Sequence, residues 1–266
     1  MECKRIKTVY FSPTRTTKKV LESIAYGIGA DEVEDFDLTY PLNTQQTIAT
    51  SSDEIVIFGA PVYAGRLPVE AVRRFKQLRA NNTLAIIVVV YGNREFEDAL
   101  LELKNLVIEL GFTPIAGGAF IGEHSYSTDE TPIAKGRPDR LDIQNTMEFS
   151  LKIKEKIKTL STPQMQIDLE IPGNFPYKDA MPPNKVAPVT DKNLCNECGM
   201  CIDLCPMEAI FLEEHIKTNA ELCIRCCACI KNCPNEAKVI EDSAWKAIGA
   251  RLNANCSTRK EPQFFL

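Results

Sequence analysis

Eight of the eleven cysteines in this chain fall into two runs of identical spacing. The first run is Cys195-x2-Cys198-x2-Cys201-x3-Cys205-Pro206, and the second is Cys223-x2-Cys226-x2-Cys229-x3-Cys233-Pro234. Thiolates bind soft metal centres, and three thiolates within seven residues can surround one cube of iron and sulfide. The fourth cysteine, followed by proline, is directed toward the other half. The repeat therefore predicts two metal centres in two similar halves.

These runs resemble those of bacterial two-cluster ferredoxins, and the resemblance implies two [4Fe–4S] clusters that share cysteines crosswise. The ligands so implied are Cys195, Cys198, Cys201 and Cys233 (cluster site 1) and Cys223, Cys226, Cys229 and Cys205 (cluster site 2).

Structural zinc is the alternative, although zinc sites usually separate two Cys-x2-Cys pairs by a longer loop. Cys227 stands where the first half has Gly199, which favours a small packed side chain, while Cys3 and Cys256 carry no motif.

Three loops at predicted strand ends carry small and polar residues that suit a bound nucleotide. The first loop contributes hydroxyl groups and free N–H groups at a helix start, which would hold a phosphate. Ordinary helix capping by Ser or Thr is the alternative. The candidate phosphate-binding residues are Ser12, Thr14, Arg15, Thr16 and Thr17.

The second and third loops suit a planar ring. Small residues would let the backbone approach the ring, Tyr63 could stack on it, and amides after the central strand could bind its polar edge. Taken singly, each loop is ordinary turn chemistry. The candidates are Pro61, Val62, Tyr63, Ala64 and Gly65 in the second loop, and Tyr91, Gly92, Asn93, Arg94 and Phe96 in the third.

The spacing Ser12-x-Thr14-x-x-Thr17 resembles the flavodoxin phosphate loop, with Pro13 and Arg15 where flavodoxins often have glycine. The three loops together resemble the FMN loops of flavodoxin-like domains. With the cysteine runs, the whole chain resembles a flavodoxin–ferredoxin fusion protein. The resemblance implies FMN rather than FAD and the strand order 2-1-3-4-5, and it identifies no substrate.

Strand and helix patterns alternate along the first 160 residues. Strands are predicted near 6–11, 31–38, 55–59, 84–91 and 114–121, and helices near 16–28, 69–79, 100–110 and 139–160. This alternation predicts an α/β fold with a doubly wound, five-stranded parallel sheet. The predicted domains are a flavodoxin-like FMN-binding domain (1–160), a proline-rich linker (161–188), a small α+β ferredoxin-like domain (189–240), and a C-terminal helix and tail (241–266).

Composition and charge exclude several classes of protein. No apolar run reaches the length of a membrane span, and the start of the chain lacks a signal-peptide pattern, so we expect a cytoplasmic protein. The net charge of −5 argues against a nucleic-acid partner. Clustered cysteines indicate metal binding rather than a disulfide scaffold. No G-x-G-x-x-G follows a strand, so no dedicated nicotinamide domain is expected.

The expected function is electron transfer between two [4Fe–4S] clusters and FMN, with redox proteins as partners and no catalytic side chain. One alternative is an FMN-dependent reductase fed by its own clusters, with Tyr63, Phe96 and Tyr126 lining a substrate pocket. A redox sensor is a third class, for which no DNA-reading element is found. His124 could face the flavin and donate a proton, or it could be a hydrogen-bonded loop histidine.

Overall fold

The protein is described by a computed structural model that covers residues 5–41, 54–80, 82–160, 168–180 and 185–266. Cys3 lies outside these residues.

The sheet domain begins with strands and helices in alternation: β1 (Arg5–Tyr10), α1 (Thr16–Ile28), β2 (Glu32–Asp37), β3 (Glu54–Pro61), α2 (Val69–Phe75), β4 (Thr83–Tyr91), α3 (Ala99–Glu109), β5 (Phe112–Ile121) and α4 (Arg140–Thr159). The remaining elements are β6 (Val189–Thr190), α5 (Met200–Asp203), β7 (Ile210–Leu212), β8 (Ile216–Thr218), α6 (Ala228–Lys231), β9 (Lys238–Val239), α7 (Ser243–Asn255) and β10 (Gln263–Phe265).

The main sheet has the order β10-β5-β4-β3-β1-β2. Strands β1 to β5 pair in parallel, which confirms the predicted order 2-1-3-4-5 and the doubly wound fold class. Every residue of β4 is buried, as expected for the central strand of a parallel sheet covered on both faces.

A sixth strand, β10, was not predicted from the sequence. It pairs antiparallel with β5, with Phe264 opposite Gly118. The Phe264 ring stacks on Phe149 at 4.9 Å and lies 5.6 Å from Phe120, so aromatic packing holds this short strand on the sheet. Its three residues are too few to show the alternation by which a strand is recognised.

Helices cover both faces of the sheet. Val20, Leu21 and Ile24 of α1 pack with Phe149 and Ile153 of α4 on one face. The other face is covered by α2 and α3. Helix α2 ends at Phe75, four residues before the predicted end, because the chain turns there with Gln77 N donating to Arg74 O. Gly111 follows α3 at φ +89°, as predicted for a helix-ending glycine.

The described part of the predicted linker packs on the sheet domain without forming a helix or strand. Leu169 is fully buried in the core beside α3. The Asp98 carboxylate accepts hydrogen bonds from Asn174 N and Lys178 N, both at 2.8 Å. These contacts hold residues 168–180 against the domain that precedes them.

The cysteine-rich unit repeats its own structure. Helices α5 and α6 begin at equivalent positions of the two runs, after Gly199 and Cys227, which both have left-handed backbone conformations. Two small antiparallel pairs, β6–β9 and β7–β8, complete the unit. The buried Lys238 donates to the Thr190 and Thr218 hydroxyls and so joins the two pairs. Among the described helices, none has the length and hydropathy of a membrane-spanning segment.

Candidate functional site

Two small cavities in the cysteine-rich unit separate the eight motif cysteines into two groups. One cavity is lined by Cys195, Cys198, Cys201 and Cys233, and the other by Cys205, Cys223, Cys226 and Cys229, together with Cys227, which is outside the repeated spacing. This grouping is the crosswise one of cluster sites 1 and 2. In the described ranges, no three His, Cys, Asp or Glu side chains converge tightly enough for a single metal ion. A [4Fe–4S] cluster needs no such convergence, because each of its four cysteines binds a different iron.

Backbone amides donate hydrogen bonds to the sulfurs in matching positions of the two halves. Ala209 N lies 3.2 Å from Cys205 Sγ, and Ala237 N lies 3.2 Å from Cys233 Sγ. These donors stabilise negative charge on sulfur and are among the groups that set the reduction potential of a cluster. The sulfur of the fourth cysteine therefore accepts an equivalent backbone hydrogen bond in each run.

The two cluster sites differ in their exposure to solvent. Cys226 and Cys229 of cluster site 2 are each only 8% exposed, whereas Cys198 of cluster site 1 is exposed. Burial raises the pKa of the Cys229 thiol to about 12. Cys227 is buried against Ile240 and Trp245, as a packed side chain would be.

A larger cavity of about 570 Å³ lies between the sheet domain and the cysteine-rich unit. It opens at the carboxyl ends of β1, β3 and β4, where doubly wound sheets bind ligands. Its volume is within the usual range for cofactor sites. Eleven of the predicted flavin-site residues line it: Ser12, Thr14, Thr16, Thr17, Pro61, Val62, Tyr63, Ala64, Tyr91, Gly92 and Arg94.

The first loop presents its polar groups at one end of this cavity. The N-cap position of α1 is Arg15, which makes no side-chain cap hydrogen bond, and Ser12 Oγ accepts a hydrogen bond from Lys18 N in the first turn at 3.1 Å. The hydroxyl of Thr17, by contrast, is buried and has no hydrogen-bond partner among the described residues. A buried hydroxyl without a partner is costly, and a phosphate oxygen at the start of α1 would satisfy it.

Four predicted flavin-site residues do not line this cavity. Arg15 lines a neighbouring cavity instead. Gly65 has φ +86° in a tight turn beside Glu97. Phe96 is 5% exposed and packs on Tyr91, with the ring centroids 5.7 Å apart.

The fourth, Asn93, has a structural partner that the sequence does not indicate. Its side chain is buried and its Nδ2 donates to Cys256 O at 2.7 Å and to Thr258 O at 2.8 Å. Its Oδ1 accepts from Lys260 N at 3.2 Å. Asn93 therefore binds the tail that follows α7, and its side chain is turned away from the cavity.

His124 lines the cavity and contacts both Tyr126 and Gly92. Its Nδ1 accepts a hydrogen bond from Tyr126 N at 3.0 Å, and its ring covers Gly92 so closely that a Cβ there would lie 2.2 Å from Cδ2. Burial lowers the pKa of His124 to about 4, so the ring is neutral near pH 7. Of the two roles that the sequence allows for His124, a proton donor to the flavin or a hydrogen-bonded loop histidine, this arrangement fits the second.

The rest of the wall comes from parts of the chain that sequence reasoning did not connect with the flavin. Ile224, Arg225 and Cys226 belong to the second cysteine run, and Trp245, Ile248, Arg251 and Leu252 lie on α7. The Trp245 ring lies against Tyr126 with centroids 3.7 Å apart. The sequence predicts a helix here but does not connect it with the flavin. The one feature that could have indicated a role in the site is Trp245, the only tryptophan in the chain.

Charge at this cavity is mainly positive. Among the described residues that line it, Arg94 and Lys178 are both paired with Glu97, and Glu123 is paired with Lys231 at 2.6 Å. Arg225 and Arg251 are the described lining cations without an ion pair. A cavity of this charge favours an anionic ligand.

The strand order and the cysteine runs define a flavodoxin-like domain joined to a ferredoxin domain. Residues 187–239 match the family described as the 4Fe-4S dicluster domain. A probable ferredoxin of Thermoplasma acidophilum is 54% identical over 26 residues, which are 10% of this chain and 37% of that protein.

Several solved structures are similar to the sheet domain. A flavodoxin from the domain Archaea is 17% identical, with 58% of this chain and 99% of that chain covered and a TM-score of 0.37. Oxidised flavodoxin 1 from Bacillus cereus is 14% identical, with coverages of 59% and 99% and a TM-score of 0.41. The rubredoxin oxygen:oxidoreductase of the anaerobe Desulfovibrio gigas is 14% identical, with coverages of 59% and 37% and a TM-score of 0.40. This chain thus spans little more than a third of that oxidoreductase and of the probable ferredoxin.

Proposed function

We propose that this protein is an electron-transfer flavoprotein that passes electrons between two [4Fe–4S] clusters and FMN. One observation carries the proposal: Cys226 of cluster site 2 forms part of the wall of the cavity that holds the predicted FMN loops. Clusters carry single electrons and FMN carries one or two, so the pair links one-electron carriers to two-electron chemistry.

The residues of the cavity suit the parts of FMN. The phosphate is assigned to the first loop, where Thr17 offers an unpaired hydroxyl beside Ser12, Thr14 and Thr16. The ring is assigned to the side formed by Tyr63 and Tyr91, which the cysteine-rich unit and α7 close. These residues bind and orient the flavin and keep water from it.

The difference in exposure gives the two cluster sites different roles. Cluster site 2 is buried beside the flavin cavity, and cluster site 1 has its exposed Cys198 at the protein surface. We infer that external redox proteins meet cluster site 1, while cluster site 2 connects it with the flavin. The chain's residues thereby hold three redox centres in a fixed order.

A reductase of a small molecule is the second candidate function. It is favoured by the shape of the flavin site, which is a concave cavity walled by Tyr126 and Trp245 rather than a flat surface. Such a cavity suits a ligand beside the ring. Steady-state oxidation of the reduced protein by a panel of small acceptors separates the two candidates when it is compared with Tyr126→Ala. A reductase should show saturable turnover that falls in this variant, whereas non-specific oxidation of a carrier should neither saturate nor depend on Tyr126.

The proposal is tested first by composition. Protein purified without oxygen should contain about eight iron and eight sulfide per chain, as two [4Fe–4S] clusters require, together with one FMN. Zinc in place of iron would refute the cluster assignment, and absence of flavin would refute the flavin site.

Two adjacent cysteines then provide a matched pair of variants. Cys226→Ala should lose iron from cluster site 2 and abolish the reduction of flavin through the clusters, measured by anaerobic stopped-flow absorbance. Cys227→Ala, which removes a packed side chain and no proposed ligand, should keep the iron and the transfer. Clusters and flavin that fail to exchange electrons in the unmodified protein would contradict the relay.

A further inference from the structure

Arg225 occupies an unusual position in the second cysteine run. It lies between Cys223 and Cys226 with a left-handed backbone, φ 57°, and its side chain is 9% exposed in the wall of the flavin cavity. The equivalent residue of the first run is Glu197, which has nearly the same φ of 56° but is exposed to solvent. The backbone turn is thus common to both halves, whereas the buried guanidinium is particular to the half that faces the flavin cavity.

The guanidinium of Arg225 is incompletely satisfied. Its Nε is buried and has no hydrogen-bond partner among the described residues. The two other arginines buried in the described ranges are compensated: Arg74 by Glu70 at 2.6 Å, and Arg137 by Asp142, with an Nε–Oδ2 distance of 2.9 Å. The charge of Arg225 acts on the neighbouring Cys223, where it opposes the rise in the thiol pKa that burial causes, so a thiolate there would offset the charge. A buried Nε–H without an acceptor is nevertheless costly, and an acceptor that is not part of the chain would relieve this cost.

The surroundings of Arg225 indicate which part of a ligand would supply that acceptor. Tyr126 and Arg225 both line this cavity, and the charge of Arg225 opposes the rise that burial causes in the pKa of the Tyr126 hydroxyl. Tyr63 and Cys226 line the same cavity. The polar groups of the phosphate loop are provided by a different segment, at the start of α1.

We propose that Arg225 is a flavin-binding residue supplied by the ferredoxin domain, and that its guanidinium donates a hydrogen bond to the polar edge of the flavin ring. This inference rests on the proposed function, since it requires FMN in this cavity. A positive charge beside the ring favours additional electrons on it, so Arg225 also raises the flavin reduction potential. Because one of its binding groups lies on the cluster domain, flavin binding and domain docking strengthen each other.

The test is flavin titration of cluster-loaded, flavin-free protein, followed by fluorescence quenching. Arg225→Met should weaken binding of both FMN and riboflavin by about 10- to 100-fold, the worth of a charge-assisted hydrogen bond. It should also lower the flavin midpoint potential. Arg225→Lys should restore part of both losses, and Glu197→Gln, at the equivalent position of the other half, should change neither.

The outcomes separate this inference from the proposed function. Binding by Arg225→Met within twofold of the unmodified protein, or a loss for FMN but not for riboflavin, would overturn the role at the ring. Failure of the unmodified protein to bind either flavin would refute the flavin site itself. Iron content reports whether each variant keeps its clusters. If Arg225→Met loses iron, the polar but uncharged Arg225→Gln decides: a lowered flavin potential supports the assignment and an unchanged one overturns it.

Discussion

Replacing Asn93 by alanine is expected to release the C-terminal tail from the sheet domain. The buried Asn93 amide makes three hydrogen bonds to this tail, at 2.7 Å and 2.8 Å to the carbonyls of Cys256 and Thr258 and at 3.2 Å from Lys260 N. The tail leads into β10, which covers the edge of β5. The side chain thus links the third loop to the last strand of the sheet.

The size of the effect follows from these three bonds. Each hydrogen bond contributes about 1 kcal/mol net, so the free energy of detaching the tail from the sheet domain should fall by about 2 to 3 kcal/mol. The population of the detached tail should then rise by about 30- to 150-fold. Asn145→Ala is the matched control, because Asn145 bonds the exposed carboxylate of Glu261 in the same tail at 3.1 Å. A surface change of this kind is worth at most about 0.5 kcal/mol.

Limited trypsin digestion measures the detached population directly. Arg259 and Lys260 provide cleavage sites within the tail, and both side chains are engaged while it is bound, Arg259 with Asp139 at 2.6 Å and Lys260 with Arg94 O at 2.5 Å. Cleavage at these sites follows the open population when opening is fast, and mass spectrometry identifies the shortened chain. If Asn93→Ala is cut no faster than Asn145→Ala, the tail is held by other contacts and the reasoning is wrong.

Four further substitutions have expected results that can be measured separately. Thr17→Val removes the unpaired buried hydroxyl and should weaken FMN binding about tenfold, while the melting temperature of the flavin-free protein should not fall. Gly111→Ala places a Cβ 2.2 Å from Ala80 O at φ +89°, so urea unfolding should show a loss of about 3 kcal/mol or more. Gly136→Ala, at φ +76° in open space, should cost about 1 kcal/mol. Burial lowers the pKa of His124 from 6.5 to about 4, so the unfolded chain binds more protons and stability should fall by about 2 kcal/mol from pH 7 to pH 5. His124→Gln should remove this pH dependence in thermal melts; an unchanged pH dependence would assign it to other groups.

Features with a strong local pattern were predictable from the sequence. The run of β-branched residues in β4 identifies a central strand, and the strand–helix alternation determines the fold class. The crosswise grouping of the cysteines follows from repeated spacing and a known family pattern, and the structure places Cys205 and Cys233 with the opposite runs. The family comparison independently identifies residues 187–239 as a dicluster domain.

Features that depend on long-range contacts were not predictable. Asn93 follows a strand in a loop of polar residues, so the sequence predicts that it belongs to the flavin site, but its partners lie more than 160 residues further along the chain. Arg225 and α7 form part of the cavity wall because two domains pack together. The spacing of residues within either segment does not predict this contact. Strand β10 is recognisable only once its aromatic neighbours are in place.

The position of β10 makes the cysteine-rich unit an insertion within the sheet domain, attached to it at both ends. During synthesis, the outer edge of β5 therefore stays without its partner strand until after all eight motif cysteines have been made. While the inserted unit is unfolded, β10 is held at the end of a long flexible loop, which raises the entropic cost of pairing it with β5. Folding of the unit around its metal shortens that loop, so maturation of the metal centres and protection of the sheet edge from aggregation are coupled events.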